Sequence, residues 1–189
     1  MLVVGISGGS GVIYGIRLLE VLKGLKVETH LVMSQAARET IVLETNYKVG
    51  HVESLASRLH RFNDITGPLA SGSFITDGMV ILPCSMKTLG GIATGYADNL
   101  LLRAAEVSLK ERRLLVLVPR ETPLSIIDMQ NMLKVARAGA MILPAMPAFY
   151  HRPKTVDDIV DMIVGKVLDA FKIKHDLYER WAGPARKPA

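Results

Sequence analysis

The chain has 189 residues, 49% of them hydrophobic, a formal net charge of +5 and only 5% aromatic residues. That much apolar surface can be buried in one sizeable core, which excludes a disordered segment and predicts one compact domain. The cations are spread along the chain and stacking aromatics are scarce, which argues against a nucleic-acid platform and for an anionic small molecule.

Taken in order, strand-like runs at 2–6, 29–33, 79–82, 114–118 and 140–143 alternate with helix-like segments at 12–23, 35–43, 87–95, 100–113, 125–138 and 156–172. Such alternation predicts the α/β class, with right-handed βαβ units and helices on both faces of a parallel sheet. The runs Met79-Val80-Ile81-Leu82 and Leu114-Leu115-Val116-Leu117-Val118 show no period-two alternation, as expected of strands covered on both faces. Residues 46–73 read as irregular with short helices. Residues 1–173 are expected to form the domain, and 174–189 an arm packing on its own or a neighbouring subunit. Trp181 would be costly to leave in water there, so it is expected to dock.

Met1 to Ile6 resemble a buried strand and lack the charged leader of a signal peptide, and no apolar stretch reaches the ~18 residues that cross a bilayer. Cys84 is the lone cysteine and cannot form an internal disulfide, so a reducing cytoplasm is expected. One cysteine with scattered histidines offers no metal-ligand spacing. Cys84 reads as a small buried hydrophobe, since nothing nearby marks it as a nucleophile.

Each strand-like run ends in Gly, Ser, Pro or charged residues, and in an open parallel sheet such ends converge on one ligand crevice. Gly8, Gly9 and Ser10 join the first strand to the first helix, where free N–H groups and the positive dipole end favour a phosphate. The pattern matches neither the dinucleotide nor the ATP glycine motif, and the second strand ends at Ser34 without the acidic residue that grips a ribose. A mononucleotide phosphate is favoured; a plain glycine turn with Ser10 as cap is the alternative. Ser85, Met86, Lys87 and Thr88 repeat the strand-to-helix logic, with capping alone as the simpler reading.

On the apolar helix at 100–113, Arg103, Glu106 and Lys110 form a stripe. The stripe is either a solvated salt-bridged face, with good spacing for Glu106 and Lys110, or two cations aimed at an enclosed anion. Arg120 and Glu121 end a strand and pair a permanent cation with a carboxylate suited to proton transfer, or form a surface ion pair. Tyr150 lies in a proline-rich turn where its hydroxyl could meet a ligand or its ring fill an interface. Glu44, His51, His60 and His151 read individually as solvated or locally bonded groups.

Five stretches together resemble the UbiX family of flavin prenyltransferases, formerly classed as aromatic-acid decarboxylases: residues 5–15, 30–34, 83–89, 119–124 and 147–153. The resemblance implies a Rossmann-like flavoprotein fold, with FMN bound between subunits of a homo-dodecamer. It implies metal-independent transfer of a dimethylallyl group from dimethylallyl phosphate to N5 and C6 of reduced FMN, giving prenylated FMN for a UbiD-type decarboxylase. By the same resemblance Gly8, Gly9, Ser10, Ser34, Ser85, Met86, Lys87, Thr88 and Arg120 would hold FMN. Arg103, Lys110, Tyr150 and Lys166 would hold the allyl phosphate, with Ser10, Glu44 and Glu121 nearest the chemistry. Gly9 stands where the family often has alanine, and Lys166 where it often has arginine.

Two other classes share this architecture. Flavin-dependent cysteine decarboxylases carry signature stretches that this chain lacks, with Pro-Cys-Ser-Met-Lys-Thr and Pro-Ala-Met-Pro-Ala-Phe-Tyr at the comparable places. A non-catalytic flavin carrier would have no use for a second phosphate site, which makes Arg103, Lys110, Tyr150 and Lys166 the discriminating residues.

Overall fold

The computed structural model describes residues 1–183; residues 184–189, the end of the expected arm, lie outside the described residues. The strands are β1 (Leu2–Ile6), β2 (Thr29–Met33), β3 (Arg58–His60), β4 (Met79–Cys84), β5 (Leu115–Pro119) and β6 (Met141–Ile142). They form one parallel sheet in the order β3-β2-β1-β4-β5-β6. The α-helices are α1 (Val12–Gly24), α2 (Gln35–Glu44), α3 (Val49–Leu55), α4 (Met86–Thr94), α5 (Leu100–Lys110), α6 (Ile126–Arg137) and α7 (Val156–Ala170). The α/β class read from the alternation is the fold observed.

Side-chain alternation along the strands feeds two cores. Leu2, Val4 and Ile6 of β1 join Ile16 and Leu19 of α1 and Val164 of α7 on one face. Val3 of β1, with Met79 and Ile81 of β4, joins Leu89 of α4 and Leu101 of α5 on the other. Every residue of β1, β2, β4 and β5 is therefore buried, so these strands read as unbroken apolar runs. Full burial of each such Leu, Ile or Val contributes roughly 1.5–3 kcal/mol. Helix starts are fixed by caps. Ser34, Ser85, Asn99, Ser125 and Thr155 each accept a backbone N–H of the helix that follows. Helix α5 stops at Lys110, short of the expected 113, because Arg112 turns to φ 54 and the chain leaves the helical path.

The region expected to be irregular with short helices holds the short helix α3 and, beyond that expectation, an edge strand. Strand β3 has two exposed residues out of Arg58–His60, so no apolar run announced it. His60, expected to be solvated or locally bonded, is buried and bonded across 30 positions: its Nε2 meets His30 Nδ1 at 3.0 Å, and Phe74 lies 5.6 Å from the His30 ring. Burial, then the His30 imidazole and Arg58, hold His60 below the ordinary imidazole value, with Asp64 opposing them. A folded-state value below the unfolded one means the stabilisation is complete above about pH 6.5, the unfolded imidazole value, and is lost as pH falls through the folded one. The melting temperature is expected to fall between about pH 7 and pH 5, and to fall less in His60→Gln. Thermal melts across that range check this, and an equal slope in both proteins would clear His60.

Candidate active site

β1 pairs with β2 on one side and β4 on the other, so the carboxyl ends of β1 and β4 flank the point where strand order reverses. There an open α/β sheet leaves a crevice. The Ser7 hydroxyl stitches the two ends together, donating to Pro83 O at 2.9 Å and accepting from Ser85 N–H at 2.8 Å. Gly9 lies against Ser85, with room of 3.7 Å between a Cβ built on Gly9 and the Ser85 Cα. Ser85 caps α4 and its hydroxyl donates to Thr88 Oγ1 at 3.1 Å. Ser34, the α2 cap, is tied to β1 by its N–H to Ile6 O at 3.0 Å.

Helix α2 returns to the glycine turn at its far end. Glu44, its last residue, accepts the Gly11 N–H at 2.8 Å, a carboxylate seated at the start of α1 where the helix dipole favours negative charge. From β5, Arg120 Nε donates to Ser10 O at 3.2 Å. Tyr14 lies beside Gly11, its ring 3.1 Å from where a Cβ there would stand. Burial pushes its phenol upward from the ordinary value, while the Arg120 charge pulls it back. Glu121 is exposed, and one of its oxygens accepts the Thr122 N–H at 3.2 Å. The donor set therefore combines serine hydroxyls, helix-start N–H groups, Arg120 and exposed Lys87, which suits a phosphate monoester.

The Flavoprotein family model matches residues 1–168. The flavin prenyltransferase UbiX of Salmonella typhimurium is 56% identical over 185 residues, which cover 96% of this chain and 98% of that one. AnUbiX, solved in complex with FMN and dimethylallyl pyrophosphate, superposes with a TM-score of 0.96 at 50% identity, covering 97% of this chain and 98% of that one. This chain belongs to the UbiX family of flavin prenyltransferases. A dodecameric FMN-dependent UbiX-like decarboxylase from Escherichia coli superposes with a TM-score of 0.94 at 53% identity, covering 96% of this chain and 99% of that one. Peptidyl-cysteine decarboxylase EpiD shares the fold alone, with a TM-score of 0.64 and 17% identity over 90% of this chain and 97% of that one.

The structure brings Gly8, Gly9, Ser10, Ser34, Glu44, Ser85, Met86, Lys87, Thr88, Arg120 and Glu121 of this UbiX-family chain to the carboxyl-end side of the central strands. Lys110 stands elsewhere, while Arg103, in the first turn of α5, is engaged by its own neighbours. Arg103 Nη1 donates to Glu106 at 2.8 Å and its Nε to Ala70 O at 3.2 Å. Glu106 is thus taken, and Lys110 pairs with Glu111 at 2.8 Å instead of at the expected helical spacing. Because α5 runs back against the strands, Lys110 lies near the edge where β5 begins, opposite the glycine turn. Lys166 is exposed on α7, and Tyr150 lies in the loop before that helix.

Cys84 is fully buried and its thiol is pushed up to about 12 by burial, which agrees with a packing role. Two residues of the 5–15 stretch were given no site role by sequence reasoning. Ser7 is a polar residue closing an apolar strand, a signal that was present but masked by the glycines after it. Tyr14 sits three residues after Gly11 on the first turn of α1, and only the fold brings it to Arg120.

Proposed function

We propose that this chain transfers a dimethylallyl group from dimethylallyl phosphate to reduced FMN, giving prenylated FMN. The observation that carries this reading is the meeting of Ser10, Glu44 and Arg120 at the strand-order reversal, in a chain 56% identical to a flavin prenyltransferase. When bound, reduced FMN supplies the N5 and C6 positions that take the dimethylallyl carbons. Ser85, Thr88, Lys87 and Ser34 hold its phosphate, and Gly9 leaves space for close approach. The allylic C–O bond breaks, and the electron pair leaves with the phosphate. Cationic side chains stabilise that developing charge. Arg103, Lys110 and Lys166, with the Tyr150 hydroxyl donating beside them, are assigned to this task, and Lys110 enters from a neighbouring subunit because α5 carries it to the end of the sheet opposite the glycine turn. Glu121 would accept the proton that the flavin loses at the alkylated centre, with the departing phosphate as its partner in proton transfer.

Assembly follows the same reading. Ile126, Ile127, Met129 and Leu133 of α6 are exposed, and so are Val42 and Leu43 of α2, the last at 83%. Apolar faces of this kind mark subunit contacts, in keeping with a homo-dodecamer. Residues 1–173 form the flavin-binding domain and 174–189 its arm. The product serves a UbiD-type decarboxylase in the cytoplasm. Among the described residues no helix is long and apolar enough to cross a membrane.

The test is incubation of the purified protein with reduced FMN and dimethylallyl phosphate in the presence of a chelator. Mass analysis is expected to show a flavin heavier by one dimethylallyl unit. Recovery of unmodified FMN from folded, FMN-binding protein would leave a carrier and reject the transferase.

A further inference from the structure

We propose that Asp169 is a positioning residue for Tyr150, acting through the strap formed by residues 174–183; this rests on the reading of Tyr150 as a contact for the allyl phosphate. Asp169 lies one residue before the end of α7, where a carboxylate opposes the helix dipole, so the helix itself gives no reason for it. Its reason lies in the strap. Oδ1 accepts from Arg180 at 2.6 Å and meets His175 Nε2 at 3.1 Å, while Oδ2 accepts from the Tyr178 hydroxyl at 2.6 Å and Arg180 at 3.1 Å. His175 Nδ1 accepts the Leu177 N–H at 3.2 Å, which leaves Nε2 to carry the hydrogen toward Asp169.

The rest of α7 is shaped to receive this clasp. Gly165 lies one turn before Asp169, and a Cβ there would stand 2.6 Å from the Tyr178 ring and 2.7 Å from His175 Cε1. Glycine is unfavourable in a helix interior, so its presence here answers to the close approach of the strap. The hydrogen bond from Arg180, with those from Tyr178 and His175 and against the opposing effect of burial, holds the Asp169 carboxyl well below the usual carboxylate range. Burial, with the bond to Asp169, pushes the Tyr178 phenol up to about 12, so the clasp stays intact at neutral pH.

The clasp ends one residue before Trp181, whose ring meets Tyr150 edge-on at 5.8 Å and 65°. Trp181 is 64% exposed and Tyr150 41%, so this contact is not held by a core. His151 also meets Tyr150 edge-on at 5.7 Å, and it lies 6.5 Å from Tyr178. Tyr150 thus stands in an irregular loop and is placed by aromatic neighbours, and the clasp fixes those neighbours. Cutting the clasp frees the tyrosine without touching the crevice at the glycine turn.

Trp181 is the chain's single tryptophan, so its fluorescence reports the strap directly. In Asp169→Asn the emission is expected to move to the red, with the far-ultraviolet dichroism and FMN affinity of the wild type. Quenching of that emission by dimethylallyl phosphate, added to protein holding oxidised FMN, is expected to need about fivefold more ligand. In turnover the same substitution is expected to raise KM for dimethylallyl phosphate by about fivefold with little change in kcat. Trp181→Ala is expected to repeat the KM effect and Trp181→Phe to restore it. Unmoved emission in Asp169→Asn would overturn the clasp. Released emission with unaltered ligand affinity, or an equal loss of FMN affinity, would overturn the link to Tyr150. Emission and quenching need no turnover, so a failure of the proposed activity is separable from a failure of this inference.

Discussion

Glu121→Gln is expected to leave FMN binding intact and to slow single turnover by about 10²-fold or more, the usual scale for loss of a proton-transfer group. The carboxylate follows Arg120 just after β5, is exposed, and has one oxygen occupied by the Thr122 N–H. Glutamine keeps the shape and can still accept from Thr122. It cannot take a proton. Because Glu121 is exposed, the substitution is expected to change folding stability by no more than about 0.5 kcal/mol, so a rate loss could not be ascribed to unfolding. Rapid mixing of the reduced-FMN complex with dimethylallyl phosphate, together with an FMN titration, measures both quantities. A wild-type single-turnover rate would remove Glu121 from the chemistry.

Gly15→Ala is expected to destabilise the fold by about 1–3 kcal/mol and to weaken FMN binding with it. Two effects oppose each other. Alanine is the better helix former by about 1 kcal/mol, which alone would stabilise α1. Packing decides the sign, since a Cβ at Gly15 would lie 2.4 Å from Leu82 O and 3.0 Å from Ile6 Cδ1. Leu82 O is backbone in the middle of the sheet and cannot swing aside, so the helix must move. Helix α1 carries the glycine turn at its start, and Leu82 precedes the Pro83 to which Ser7 is bonded. Any retreat of α1 therefore opens the crevice between Ser7 and Ser85. Denaturant unfolding and FMN titration check this, and a gain in stability would show that helix propensity outweighs the contact.

Elements that express themselves within a few residues were legible. Apolar runs marked β1, β2, β4 and β5 to within a residue or two, and serines after them marked the starts of α2 and α4. Strand β3 was not legible, because an edge strand of three residues with two exposed has no apolar signature. His60 looked like any solvated histidine until β3 paired with β2 and brought it to His30.

For the site, the chain itself named the types of group and the order in which they occur, since glycine, serine and charge after a strand can be read locally. It also carried the family resemblance in those same stretches. Tertiary structure decided which of them meet. The Ser7 bond to Pro83 spans 76 positions, Arg120 to Ser10 spans 110, and Arg17 to Asp161 spans 144, and no local pattern encodes such pairings. It likewise separated Lys110 from the glycine turn, because α5 runs back against the sheet and ends at the opposite side. Residue types follow from short-range chemistry, whereas proximity follows from how the layers pack.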